Sequence, residues 1–310
     1  MTPTGHIHKM HLYAAGFNAW KQLEFLPLEN SIGEPNDILA FREVLSDKLI
    51  EVQYASLTCT IVNTSAGLRY AGFVDESIER ELKEGALSLT TTIAGNGCVA
   101  IYDGHSVIAQ HAPQLGSTEA RTEEFTGMHD IVQLVAYETG FVALSRDGKV
   151  WTWGDERYSA TLGRETTISS PAGSPGLVED LEDLPSGKIR KIAAAGYTVI
   201  ALTEGHDLYA WGGHPARQPI LQTLSGNPSP VDVEENDILD CSIGETHMLV
   251  LTTGGDVYTI GENSNGQLGL LLQRTANWVK VPLFPRGEVV VGVRAGQRSS
   301  FIVTKNAHLV

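Results

Sequence analysis

Apolar runs of five or six residues alternate with glycine turns along much of this chain, and the pattern is clearest over residues 238–270, ILDCSIGETHMLVLTTGGDVYTIGENSNGQLGL. Three runs, 238–243, 248–252 and 256–260, end respectively at Gly244, at Thr253-Gly254-Gly255 and at Gly261. Runs of this length, rich in Val, Ile, Leu and Tyr and closed by glycine, predict three strands joined by tight hairpins.

The chain repeats the unit. Residues 131–154 (IVQLVAYETGFVALSRDGKVWTWG) and 189–212 (IRKIAAAGYTVIALTEGHDLYAWG) follow the same order of strand, small turn, strand, glycine hairpin and strand. Worn copies occupy 50–72 and, more weakly, 89–110. The hairpin glycines Gly67, Gly104, Gly148, Gly205 and Gly255 fall 37, 44, 57 and 50 residues apart. A period of that size built from strands predicts propeller blades and excludes a helical solenoid.

The two ends complete each other. Residues 11–25 (HLYAAGFNAWKQLEF) align without gaps on 256–270, sharing Tyr13, Gly16, Asn18, Gln22 and Leu23, so they form the second half of a repeat. Residues 289–304 form a first half. The expected fold is all-β: a single β-propeller domain over 11–310 of four-stranded blades, its ring closed by the N-terminal strand joining the C-terminal blade, which leaves no open sheet edge. Six blades are expected, over about 50–88, 89–130, 131–188, 189–237, 238–288, and 289–310 with 11–49; a seventh would have to come from 110–130 or 25–49.

The intervening segments are less regular. In residues 37–50 (DILAFREVLSDKLI), Ile38, Phe41, Leu45 and Leu49 fit one helical face, and an outer blade strand fits equally. Residues 110–130 and 212–237 are polar or proline-bearing and read as long connections; residues 75–84 read as an exposed helix or loop. The largest insertion, 154–188, holds SSPAGSPG at 169–176, a flexible loop by composition. Residues 1–10 read as a flexible tail, although His6, His8 and His11 alternate in a way that an extended chain could use to hold a metal.

Strand alternation assigns the loops to faces. The turn after the first strand of each unit and the segment after its third strand share one mouth, while the glycine hairpins lie at the other. That mouth gathers Leu57, Asn96, Glu138, Tyr197, Glu245, His247 and Arg298 from first turns, with Asp155, Glu156, Arg157, Tyr158, His214 and Arg217 from the starts of insertions. Aromatic and arginine side chains of this kind favour protein interfaces, so these are the expected partner-binding residues. His247, Asn18 and Asn263 also fit a turn-forming role, and Trp151, Trp153 and Trp211 fit packing between blades.

Charge narrows the partner. With 37 acidic against 22 basic residues the chain carries −15, which repels phosphate backbones, so no direct nucleic-acid partner is expected. The acidic residues Asp155, Glu156, Glu179, Asp180, Glu182 and Asp183 in the insertion favour a basic partner surface. Cys59, Cys98 and Cys241 are unpaired in spacing, and no apolar run has the ~20 residues of a membrane helix; a cytoplasmic or nuclear protein with no membrane partner is expected. No nucleophile elbow, calcium loop or zinc-protease motif appears, and Gln267 stands where a phosphate-binding loop needs lysine. No catalytic residue, cofactor or metal is therefore expected.

WTWG, LYAWGG, SRDGKVWTWGD and GENSNGQLGL resemble the repeats of the regulator of chromosome condensation family, strongly over 131–270 and weakly before 130. Gly244-Glu245-Thr246-His247 alone keeps the histidine of the family's Gly-x-x-His-Thr turn, and a full Gly-Gln-Leu-Gly tail stands only at 266–269. The resemblance implies a propeller that binds proteins. Its short fungal members imply an adaptor whose partner is a small zinc protein of diphthamide and transfer-RNA modification, and a short animal member implies an oxygenase partner. The family's namesake implies the alternative, a guanine-nucleotide exchange factor for a small GTPase. A monomer or heterodimer is expected.

Overall fold

The computed structural model describes residues 9–25, 34–74, 91–113, 121–282, 285 and 287–307. The chain divides into two compact units, residues 80–238 and residues 1–79 with 239–310.

The first of these holds three four-stranded antiparallel sheets, each in sequence order. One is Thr91–Ile93, Val99–Tyr102, Val107–Ala112 and Arg121–Thr126. The second is Ile131–Tyr137, Gly140–Ser145, Val150–Gly154 and Gly176–Leu177. The third is Ile189–Ala195, Thr198–Thr203, Leu208–Gly212 and Ser229–Pro230. Gly140–Ser145 and Thr198–Thr203 are buried along their whole length, which explains why FVALS and TVIALT are continuous apolar or small runs. Tyr137, Val142, Leu144, Ile192, Val199 and Trp211 form one core, and Ala100, Ile108, Phe141 and Trp153 anchor another.

As expected, the WTWG and YAWG tryptophans pack between sheets. Trp153 is buried and donates Nε1–H to Gln110 of the preceding sheet at 2.7 Å. Trp211 is buried and donates to the Thr161 carbonyl at 3.1 Å. First strands recur with one extra residue, between Ile131 and Gln133 and between Ile189 and Lys191. Such bulges bend a strand and re-aim its side chains. Gln133 thereby accepts a bond from the Ile192 backbone N–H of the next sheet at 2.8 Å.

The other unit holds Ile50–Ala55, Cys59–Thr64 and Gly67–Gly72 as one sheet, and Ile238–Ile243, His247–Thr252, Val257–Glu262 and Arg274–Lys280 as another. Its third sheet joins the termini: Met10–Gly16 lies between Ile38–Asp47 and Ser299–Asn306, with Glu288–Ala295 beyond. Leu12 pairs with Val303 and Ala14 with Phe301. The N-terminal half repeat thus completes the C-terminal one.

One open alternative is settled and two expectations change. Residues 38–47 resolve to an outer strand, its Leu45 opposite Leu12, and not to a helix. Residues 110–130 are no plain connection, because Arg121–Thr126 pairs with Val107–Ala112 as an outer strand. Its sequence RTEEFT is polar because most of the strand faces solvent. Among the described residues both stretches therefore complete blades and supply no seventh one.

The segment SSPAGSPG is also ordered where flexibility was expected. The Arg164 guanidinium donates to the carbonyls of Thr152 at 3.1 Å, Ser170 at 3.1 Å, Pro171 at 3.1 Å and Ser174 at 2.9 Å. A β-carbon on Gly176 would fall 2.3 Å from the guanidinium carbon, so glycine is required where the loop re-enters the sheet. The His6 and His8 pattern and residues 75–84 lie outside the described residues; His11 sits in the N-terminal strand, its Nδ1 3.1 Å from the Glu43 carboxylate. Among the described residues no three His, Cys, Asp or Glu side chains are grouped to hold a metal, and no helix is long and apolar enough to cross a membrane.

Candidate partner-binding face

Within residues 80–238 the first turns lie side by side. The Asn96 N–H donates to the Glu138 carbonyl at 2.9 Å, and the Glu138 N–H to the Gly196 carbonyl at 2.8 Å. The third strands end at the same edge: Asp155 N–H donates to the Thr139 carbonyl at 3.1 Å and Gly213 N–H to the Tyr197 carbonyl at 2.7 Å. Loops that strand alternation assigns to one face are thus joined by hydrogen bonds. The Glu138 carboxylate lies flat against Gly95, where a β-carbon would come within 2.3 Å of it.

A short 3-10 helix, Glu156–Leu162, shapes this edge. Asp155 caps it by accepting from the Arg157 N–H at 3.0 Å and pairs with the Arg157 guanidinium at 2.6 Å. That pairing holds the Asp155 carboxyl below the usual range. The helix ends at Gly163, whose φ of 64° and contact with the Trp211 indole exclude a side chain. Pinned at both ends, the helix sets Tyr158 against the next sheet.

Three rings meet there. Tyr158 and Tyr197 are 4.8 Å apart between centroids, Tyr197 and His214 are 4.6 Å apart, and Tyr158 and His214 are 5.4 Å apart. Desolvation raises the Tyr197 pKa first, and its hydrogen bond with Tyr158 adds to this. His214 Nδ1 accepts from the Ala216 N–H at 3.0 Å, which fixes the imidazole plane. The Arg217 guanidinium lies over the Tyr197 ring at 5.4 Å, and that of Arg157 lies 6.0 Å from the Tyr158 centroid. Glu156, beside Arg157 in the chain, and Asn96, whose N–H bonds to Glu138, are exposed.

The acidic insertion does not stay together. Glu179, Asp180, Glu182 and Asp183 follow the strand Gly176–Leu177, which runs antiparallel to Val150–Gly154 and returns to the opposite end of the sheets. There Val178 N–H donates to the Val150 carbonyl at 2.9 Å, and Gly205 of a glycine hairpin donates to the Ser186 carbonyl at 2.7 Å. The expectation that all six acids present one surface to a basic partner is therefore corrected: only Asp155 and Glu156 share an end with the aromatic cluster.

In the other unit the Glu245 N–H donates to the Gln297 carbonyl at 3.0 Å, and the Gln297 side chain accepts from the Leu57 N–H at 3.0 Å. Arg298 pairs with Glu245 at 3.2 Å. His247 is a second correction. It is fully buried, its Nε2 is 3.2 Å from the Ser299 carbonyl, and burial pulls its pKa down to about 4, so it holds the turn and cannot touch a partner. Asn18 and Asn263 do form turns, their Oδ1 atoms accepting from Leu23 N–H at 3.0 Å and Leu268 N–H at 2.7 Å.

Sequence reasoning missed an aromatic pair in this unit. Trp20 and Phe73 are 52% and 56% exposed with ring centroids 6.0 Å apart. Both follow third strands, Met10–Gly16 and Gly67–Gly72, a signal available from the same alternation rule. Gln22 brings the loops together by donating to the carbonyls of Phe17 at 2.9 Å and Leu57 at 2.8 Å.

Against this geometry, comparison with known proteins is informative. The chain superposes on the Saccharomyces cerevisiae protein Prp20p with a TM-score of 0.68 at 14% identity, over 98% of this chain and 93% of that one. It superposes on human WBSCR16 with a TM-score of 0.61 at 14% identity, over 97% and 100%. The fold is a β-propeller of antiparallel blades. Profiles of the regulator of chromosome condensation repeat match residues 240–267 and 254–303, and the chain carries repeats of that type.

In sequence, the chain is similar to the regulator of chromosome condensation of Drosophila melanogaster, 33% identical over 190 residues, which are 59% of this chain and 31% of that protein. The mouse protein of the same name is 30% identical over 154 residues, 48% of this chain and 35% of that one. Human HERC3, named as a probable E3 ubiquitin-protein ligase, is 35% identical over 131 residues, 41% of this chain and 12% of that one. The chain spans about a third of the length of the regulators it matches.

Proposed function

We propose that this chain is a non-enzymatic adaptor that binds a partner protein through the edge carrying Tyr158, Tyr197 and His214. The observation that carries the reading is their mutual packing at 4.6 to 5.4 Å, with Arg157 and Arg217 over the tyrosine faces. Tyrosine and arginine dominate binding hot spots, and rings already packed lose little entropy on association. Glu138, Asp155, Glu156 and Asn96 form the polar surroundings, and Leu57, Glu245 and Arg298 belong to the corresponding turns of the other unit. A small zinc protein or an oxygenase is the partner class that the family resemblance favours, in the cytoplasm or nucleus.

A second reading is a guanine-nucleotide exchange factor. It is supported by the likeness to Prp20p, whose structure was described with its binding to Gsp1p and histones.

Capture from extract of the source cells, with nucleotide present and after its depletion, separates the two. An adaptor retains its partner equally in both conditions and loses it in the Tyr158→Ala/Arg157→Ala variant, while Glu179→Lys/Asp180→Lys at the opposite end has no effect. A GTPase retained only after depletion establishes exchange activity instead.

A further inference from the structure

We propose that Arg217 is a carboxylate-receiving fork and that the segment docking on this edge is acidic. The inference rests on the adaptor reading and assigns the chemistry of its partner. The two arginines of the cluster differ in what they already bind. Arg157 is committed to Asp155, with Nη2 at 2.6 Å and Nε at 3.0 Å from the carboxylate. Arg217 is exposed and, among the described residues, takes part in no ion pair; its side chain lies over the Tyr197 ring at 5.4 Å.

Stacking restricts the guanidinium plane while leaving its N–H donors without an acceptor among the described residues. A planar fork restrained in this way matches the two oxygens of a carboxylate and loses little freedom in binding them. The ring beneath is itself held by Tyr158 and His214. In a chain with 37 acidic and 22 basic residues, an exposed arginine held over an aromatic ring is a local positive feature. Of the nearby acids, Asp155 is already paired with Arg157, while Glu138, packed on Gly95, and the exposed Glu156 set the acidic rim around it.

The distribution of charge within residues 80–238 supports an orientation. Glu179, Asp180, Glu182 and Asp183 occupy the end of the sheets opposite the cluster. An acidic segment is repelled there and accepted at Arg217, so one device selects both the partner and the end it meets.

The test uses the full chain and fluorescently labelled eight-residue peptides, followed by anisotropy. The first has the core Glu-Tyr-Glu-Leu-Asp and an amidated end; the second replaces its acids by amides and keeps a free C-terminal carboxylate; the third replaces the acids by lysine. We expect saturable binding of the first or second, showing whether a side chain or a chain terminus supplies the carboxylate. Arg217→Ala weakens binding at least tenfold, and Arg217→Lys, which keeps charge without the fork, weakens it several-fold. Unchanged far-ultraviolet circular dichroism verifies that the variants are folded. Equal binding by Arg217→Ala, preference for the lysine peptide, stronger binding of a poly-dT oligonucleotide, or no saturable binding up to millimolar peptide each overturns the proposal. Partner capture lost in Tyr158→Ala/Arg157→Ala but unchanged in Arg217→Ala overturns the acidic segment and leaves the adaptor reading standing.

Discussion

The Tyr13 hydroxyl donates to the Glu288 carboxylate at 3.1 Å, although 275 residues of chain separate them. The Thr304 hydroxyl donates to the same carboxylate, so one acid on Glu288–Ala295 holds both the N-terminal strand and the C-terminal strand. Desolvation, then the hydrogen bond to Glu288, raises the Tyr13 pKa well above its ordinary value, as expected of a phenol donating to a carboxylate. Tyr13→Phe removes one donor from a half-buried carboxylate, and a loss of about 1–2 kcal/mol is expected. Urea unfolding of the two proteins in parallel measures it; an unchanged midpoint refutes the latch.

His247 makes stability pH-dependent. Its pKa falls from the ordinary 6.5 to about 4 in the fold because a buried imidazolium is desolvated. The unfolded chain therefore binds the extra proton first. The stabilisation is fully present above 6.5 and is lost as pH falls through 4, amounting to about 3 kcal/mol. The difference in unfolding free energy between the wild type and His247→Gln should shrink across that window and stay constant above pH 7.

Arg164 is the organising residue of the long insertion. Arg164→Ala leaves the carbonyls of Ser170, Pro171 and Ser174 without their shared donor. A loss of about 2–3 kcal/mol is expected. Limited proteolysis should show new cleavage within 165–175 in the variant and none in the wild type.

Trp20 is the most exposed of the five tryptophans. Acrylamide should quench a distinct, red-edge fraction of the emission in the wild type, and Trp20→Phe should remove that fraction alone. If the quenchable fraction survives the substitution, the Trp20–Phe73 pair is not exposed as described.

The repeating strands were most legible where the second strand of a sheet is buried along its whole length, as in Gly140–Ser145, Thr198–Thr203 and His247–Thr252, and such strands announce themselves as apolar runs such as FVALS and HMLVLT. Glycine hairpins were legible because Gly67, Gly104, Gly148 and Gly255 take positive φ; in the remaining hairpin that conformation falls on His206, at 75°, beside the glycine. Outer strands left no comparable signal. Arg121–Thr126 is largely exposed, so its polarity matches that of a loop. Counting strand directions assigned the first turns and the starts of the insertions to one end, but the charge argument grouped Glu179 to Asp183 with Asp155 and Glu156 because the two-residue strand Gly176–Leu177, which carries them to the other end, is too short to be seen in composition.

What the sequence by itself determined is the class of fold and the way the termini meet. Burial on both faces and the need for φ > 0 at tight turns act residue by residue and leave marks at each position. What only the tertiary structure decided is which polar groups are spent. Arg157, Arg164 and Arg217 are alike in sequence, yet one closes on Asp155, one is filled by loop carbonyls, and one keeps its donors over Tyr197. His247 and His214 both follow glycine-bearing loops, yet one is sealed against Ser299 and the other packs in a half-buried cluster of rings. Those outcomes depend on contacts between residues far apart in the chain, and no local pattern encodes them.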